Sequence, residues 1–207
     1  MAIDTEENLG PMKLIFNYNN VFYSFFYDDM SGCIHRSREY ALNYVYSGEM
    51  ILDNGTEKIH VRKGECVFIP RDHHITMYKR TYEGERYCGI FLITRNSLRE
   101  MYSKLSLNII KAKSKLPGGV IKLPKTVELA SLFASMTPYF DPEVKPKDNF
   151  MELKLQEGLM ALLAIDDRFV PTMFDFNEPW KIDILGQAEI TVHRFFRKVL
   201  NLRHENQ

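Results

Sequence analysis

Apolar and polar residues alternate in short runs over the first half of the chain and recur at three- and four-residue spacing over the second. Sheet is therefore expected first and helix after it. Residues 12–27 are dense in Phe and Tyr and broken at Asn17–Asn20, which predicts two strands around a turn. The apolar and aromatic run 42–52 (LNYVYSGEMIL) stops at Asp53-Asn54-Gly55. Asn-Gly between strand-like runs predicts a tight hairpin in which both residues take positive φ. A return strand over Lys58–Val61 reaches a second turn at Lys63-Gly64-Glu65. Cys66–Ile69 is a short apolar strand stopped by Pro70, and Arg71-Asp72-His73-His74 makes the next corner. Ile75–Lys79 and Tyr87–Thr94 complete the set. Short strands joined by tight turns predict an antiparallel barrel or sandwich with an interior open to a small ligand.

Helical periodicity begins at Asn96. Ser97 and Glu100 have capping-box spacing, and Leu98, Met101, Tyr102 and Leu105 follow on one face. The basic run Lys111–Lys115 before Pro117-Gly118-Gly119 reads as a solvated loop. After Pro124 a second helix carries Leu129, Leu132, Phe133 and Met136 on one face, and Pro138 ends it. A third helix over Asp148–Ile165 follows the Pro-rich hinge 141–146 and presents Met151, Leu155, Leu159, Leu162 and Leu163 as an apolar stripe. Three amphipathic helices exceed what one small barrel can cover. Met151, Leu155, Leu159 and Leu162 are therefore expected to pair with a second copy in a two-fold dimer.

Composition narrows the classes. At 207 residues, 45% of them apolar, the chain suits a globular domain able to bury about 70% of its unfolded surface. Lys+Arg and Asp+Glu both number 27, so the basic surplus of a nucleic-acid binder is missing. Cys33, Cys66 and Cys88 are widely spaced, and two of them sit within apolar strand runs, where buried thiols are expected. Met1–Gly10 is acidic and polar, unlike a secretory leader, and no run nears the ~20 apolar residues of a membrane span. A soluble cytoplasmic protein is expected.

Ser47-Gly48-Glu49, Gly64-Glu65, Phe68-Ile69-Pro70, His74, Gly89-Ile90-Phe91-Leu92 and Asn96-Ser97-Leu98-Arg99-Glu100, in this order, resemble the cupin-type sensor domain of AraC-type transcription regulators. The chain is similar to the versions in gut-type Bacteroidetes regulators. The resemblance implies a mainly β, cupin-like (double-stranded β-helix or jelly-roll) barrel followed by helices that dimerise, with a small effector bound in the barrel. It divides the chain into a tail (1–11), a barrel (12–95), a helical dimerisation region (96–170) and a linker with the remnant of a helix-turn-helix domain (171–207). Pro179-Trp180-Lys181-Ile182-Asp183-Ile184-Leu185 looks like the opening helix of the family's DNA-binding domain. Residues 179–207 hold two helices of about 11 residues at most, where that domain needs at least four. Residues 191–202 (TVHRFFRKVLNL) resemble a recognition helix in spacing, but such a helix reads a groove only when its scaffold holds it there. DNA binding by this chain alone is not expected, and a mixed dimer with a full-length regulator would be one way to act.

The competing class is a metal-dependent cupin enzyme, dioxygenase- or isomerase-like. Its site needs a His-x-His pair on one strand face, a later Glu and a distant His. His35, His60, His73 and His74 contain no His-x-His pair, and no Gly-x-Ser-x-Gly elbow or phosphate loop appears. No catalytic residue, metal or cofactor is expected. A ligand pocket is the better candidate. Tyr44 and Tyr46 share one strand face, Phe68 accompanies Cys66 on another, and His74, Thr76 and Tyr78 form a third alternating set, with His35 facing them. If these faces turn inward, an aromatic cavity with hydroxyl and imidazole donors would suit a sugar or an aromatic metabolite.

Overall fold

The computed structural model describes residues 12–18, 22–27, 33–37, 39–80, 87–104, 114–141 and 143–176. The chain separates into two compact units, residues 1–175 and 176–207. The proposed remnant and its basic segment 191–202 lie outside the described residues. Along the first unit run β1 (Met12–Tyr18), β2 (Phe22–Tyr27), β3 (Cys33–Ser37), β4 (Tyr40–Ser47), β5 (Glu49–Asp53), β6 (Lys58–Arg62), β7 (Cys66–Ile69), β8 (His73–Arg80) and β9 (Tyr87–Ile93). Then come α1 (Arg95–Lys104), β10 (Ile121–Lys122), α2 (Val127–Met136), α3 (Asp148–Ile165) and α4 (Phe169–Met173), with a 3-10 turn at Thr137–Phe140 extending α2.

Among the described residues the strands form a six-stranded sheet, β1-β2-β9-β4-β7-β10, and a four-stranded sheet, β3-β8-β5-β6. Every pairing is antiparallel. No strand pairing joins the two sheets among these residues, so of the barrel or sandwich expected from the strand pattern they form two separate sheets, not the closed barrel that the resemblance implied. One corner between the sheets lies at Gly48. Residues 42–52, expected as one strand, are two strands in different sheets, and the chain changes sheet at Gly48, whose φ is 77°. That left-handed backbone suits glycine, which has no Cβ to clash.

Alternation then sorts side chains into two cores. Ala41, Val45, Val67 and Ile69 of the larger sheet meet Met50, Leu52, Val61, Ile75 and Met77 of the smaller one in an aliphatic interior. The opposite face of the larger sheet carries Tyr40, Leu42, Phe68 and Phe91, and the helices lie on it. Phe133 of α2 stands 5.6 Å from Phe91, and Phe169 of α4 stands 5.0 Å from Phe68. Gly158 lets α3 close in: a Cβ there would stand 3.1 Å from Leu132 and 3.8 Å from Leu42.

Several expected elements are present with altered detail. The hairpin after Asp53 is a four-residue loop, Asn54 to Glu57, in which Gly55 alone takes positive φ. The Asn54 carboxamide oxygen accepts from the Thr56 and Glu57 amides at 2.9 Å, which holds the wider loop. Thr94 rather than Ser97 caps α1, its hydroxyl accepting from Ser97 N at 3.2 Å. α3 spans Asp148–Ile165 as expected. The strands β3 and β10 and the short α4 were not legible from periodicity. Gly48→Ala is expected to cost about 1–2 kcal/mol, measured as a lower urea midpoint at unchanged slope. A midpoint equal to wild type would contradict the corner.

Candidate functional site on the central strand

β4 lies between β9 and β7 and is buried on both sides of the sheet. Asn43 falls between Ala41 and Val45 on the inner face, opposite Val67 in one neighbour and Ile90 in the other. It is fully buried, and neither its amide nitrogen nor its carbonyl oxygen has a hydrogen-bond partner. Four residues on, past a register shift against β9, the Ser47 hydroxyl is likewise buried without a partner. Such a group costs about 1–3 kcal/mol in the folded state. Two such residues on one strand of an otherwise aliphatic interior are unusual, because buried polar groups are ordinarily hydrogen-bonded.

The helix-facing side of β4 does different work. The Tyr44 ring stacks on Phe133 at 4.5 Å and 9°, and the Tyr46 ring meets Tyr44 at 4.9 Å and Phe140 at 5.3 Å. Gly89 of β9 makes this possible, since a Cβ there would come within 3.0 Å of Tyr46 and 3.2 Å of Phe22. At the end of α2 the Thr137 amide turns to the Ala134 carbonyl, and the Tyr46 hydroxyl donates to the Phe133 carbonyl at 2.8 Å. The last carbonyls of a helix lack intrahelical donors, so Tyr46 acts as a cap supplied by the sheet. Tyr40 does the same for α4, donating to the Thr172 carbonyl at 2.7 Å. Burial, with Cys66 alongside, pushes the Tyr44 hydroxyl up, and burial pushes the Cys66 thiol up. Both stay protonated, and Cys66 is packing rather than chemistry.

The seven residues nominated as a pocket are not brought together. Tyr44, Tyr46 and Phe68 face the helices, Phe68 lying against Tyr40 and Phe169. On β8 it is Ile75 and Met77 that are buried in the interior, so His74, Thr76 and Tyr78 occupy the outer face of the smaller sheet, with His74 and Tyr78 exposed. His35 pairs with Ile75 in register, and Arg36, not His35, stands opposite His74. The signal for Asn43 was in the sequence: a lone carboxamide within the apolar run Ala41–Val45. The helical stripe also needs correction. Met151, Leu155, Leu159 and Leu162 are all buried within the chain, so they are not a free surface for a second copy. Phe150, Leu153 and Met160 of α3 are the exposed apolar residues instead. Among the described residues no three His, Cys, Asp or Glu side chains come together in a group able to hold a metal ion, and no helix is long and apolar enough to cross a membrane.

Comparison with known proteins places this architecture. ToxT of Vibrio cholerae, in a structure with unsaturated fatty acid bound, superposes with a TM-score of 0.59 over 90% of this chain at 10% identity. A second ToxT structure gives 0.58 over 83% of the chain at 12% identity. In both, the chain spans 66% of the ToxT length. At these identities the likeness is one of fold. No curated protein sequence matches the chain. Residues 40–169, however, match a family of N-terminal regulatory domains of AraC-type regulators. Within that class the family is the one described as ExsA N-terminal regulatory domain, and the chain belongs to it.

Tyr46→Phe leaves the Phe133 carbonyl without its sheet donor and is expected to destabilise the domain by about 1–3 kcal/mol. Equilibrium unfolding measures it, and a change below about 0.3 kcal/mol would show that the hydroxyl does not cap α2.

Proposed function

We propose that this chain is the effector-sensing and dimerising part of an AraC-type transcription regulator with a cupin-like arrangement of strands, working in the cytoplasm without an enzymatic step. The observation that carries the reading is the unpartnered Asn43 amide between the sheets. A carboxamide offers two donors and an acceptor, so it pairs with a hydroxyl or an amide of a ligand. The aliphatic core on this face, with Val45, Met50, Leu52, Val67 and Met77, would suit the ligand's apolar part. That lining favours a chain-like amphiphile over the sugar or aromatic metabolite that aromatic walls would have received. The fatty-acid-bound ToxT supports an apolar effector for this fold. Burying an ionised carboxylate against a neutral carboxamide is expensive, so a neutral head group suits Asn43 itself.

The output would run through α3. Phe150, Leu153, Glu157, Met160 and Ala164 recur at alternating spacings of three and four on its outward side, the seam spacing of paired helices. A second copy covering this seam gives a homodimer. Ligand at Asn43 would press on β4, and Tyr44 and Tyr46 on its other face would carry the shift to α2 and on to α3. A mixed dimer with a full-length regulator would be one route by which such a shift reaches DNA.

Two measurements test this. In the absence of ligand, Asn43→Leu removes an unsatisfied amide and is expected to raise Tm by several degrees. The same change should abolish the thermal stabilisation that 1-decanol gives wild type, and decanoate should stabilise wild type less than decanol does. A decanol shift of equal size in wild type and Asn43→Leu would contradict the site. For the seam, Leu153→Glu with Met160→Glu should convert dimer to monomer by sedimentation without loss of Tm. Leu159→Ala should instead cost about 2–5 kcal/mol of folding stability. A dimer that survives the double change would place the interface elsewhere.

A further inference from the structure

A groove of about 180 Å³ lies apart from the sandwich interior, between the end of β1, α1 and the first three turns of α3. Its floor is apolar: Met101, Met151, Leu155 and Leu159 line it, each at most 8% exposed. Its rim is acidic. Glu100, Asp148 and Glu152 border it, and the cation bonded to this rim is Lys104, which is paired with Glu152. Tyr18 donates its hydroxyl to Asp148, and Gln156 donates to Glu152 at 3.2 Å. Three carboxylates against one ammonium give the rim a formal surplus of two negative charges. Glu100 stands exposed on the rim, within electrostatic reach of Lys104.

An apolar floor under an anionic rim selects a particular chemistry. An anion is repelled by the rim, and a purely apolar molecule leaves the carboxylates partly desolvated with nothing in return. A cation with a short apolar body satisfies both parts, its ammonium meeting Glu100 and its body resting on two methionines, whose thioethers pack well against aromatic rings. The volume is below the ~300–1,000 Å³ of drug-sized pockets, so the molecule is small. We infer that the groove between α1 and α3 is a second binding site, taking a small apolar amine of arylalkylamine type.

The consequence is regulatory. Met151, Leu155 and Leu159 form the groove's floor, while Phe150, Leu153 and Met160 stand exposed on the same helix. An amine in the groove therefore bears directly on the element proposed to join two copies. The site is independent of the Asn43 reading and calls for a cationic ligand where that reading takes a neutral one.

The test uses the full chain with methyl-labelled methionines, titrated with 2-phenylethylamine and with phenylacetate as the anionic isostere. The amine is expected to saturate, shifting the methyl signals of Met101 and Met151 while those of Met50 and Met77 in the sandwich interior stay in place. Phenylacetate should bind at least tenfold more weakly. Glu100→Lys, a change at an exposed position, should weaken the amine at least tenfold with Tm unchanged. Absence of saturable amine binding, equal binding of phenylacetate, or undiminished affinity in Glu100→Lys would each overturn the site. Shifts confined to Met50 and Met77 would overturn it too, and would leave the interior reading intact.

Discussion

The fold depends on one strand being packed from both sides. β4 places Ala41, Asn43 and Val45 against the smaller sheet and Tyr40, Leu42 and Tyr44 against the helices, with Tyr46 joining the helical side at a register shift. Two of its tyrosine hydroxyls close helix ends, at Phe133 and at Thr172. The helices are thus hydrogen-bonded to the sheet where their own backbone bonding runs out. Hydrophobic burial alone would let α2 slide on the sheet, and a directional bond fixes its register.

This arrangement would let the ligand site proposed inside the sandwich and the surface proposed on the outer helices belong to one device. The inner face of β4 carries the unpartnered carboxamide, and its outer face carries the rings stacked on α2. α2 in turn packs on α3, with Gly158 allowing the close approach to Leu132. A displacement of β4 has few ways to relax without moving α2, because closely packed interiors transmit strain.

Much of this was legible in the sequence. The strand runs over Lys58–Val61 and Cys66–Ile69 and the helix over Asp148–Ile165 follow from alternation and helical spacing. Leu129, Leu132, Phe133 and Met136 are the buried face of α2 as their periodicity indicates. What alternation could not supply was which face of a strand is inner, because each face of β4 has a partner layer and both are apolar. Tyr44 and Tyr46 therefore looked like pocket walls when they are the seat of α2. The same ambiguity hid the role of Met151, Leu155, Leu159 and Leu162: a stripe that covers a sheet and a stripe that covers a second copy have the same period. Gly48 lies in a polar break, Ser47-Gly48-Glu49, between the apolar runs Leu42–Tyr46 and Met50–Leu52, a corner that reading residues 42–52 as one strand passes over. Asn43 was the informative exception, a polar residue where both faces ask for apolar ones.

The central claim is that the two faces of β4 act as one, and amide hydrogen exchange with and without 1-decanol measures it most directly. The account predicts slower exchange at Ala41–Val45 together with slower exchange at the carboxyl end of α2, from Ala134 to Thr137. Protection gained in the strand with α2 unchanged would contradict it, and would leave the helices as passive cover on the sheet.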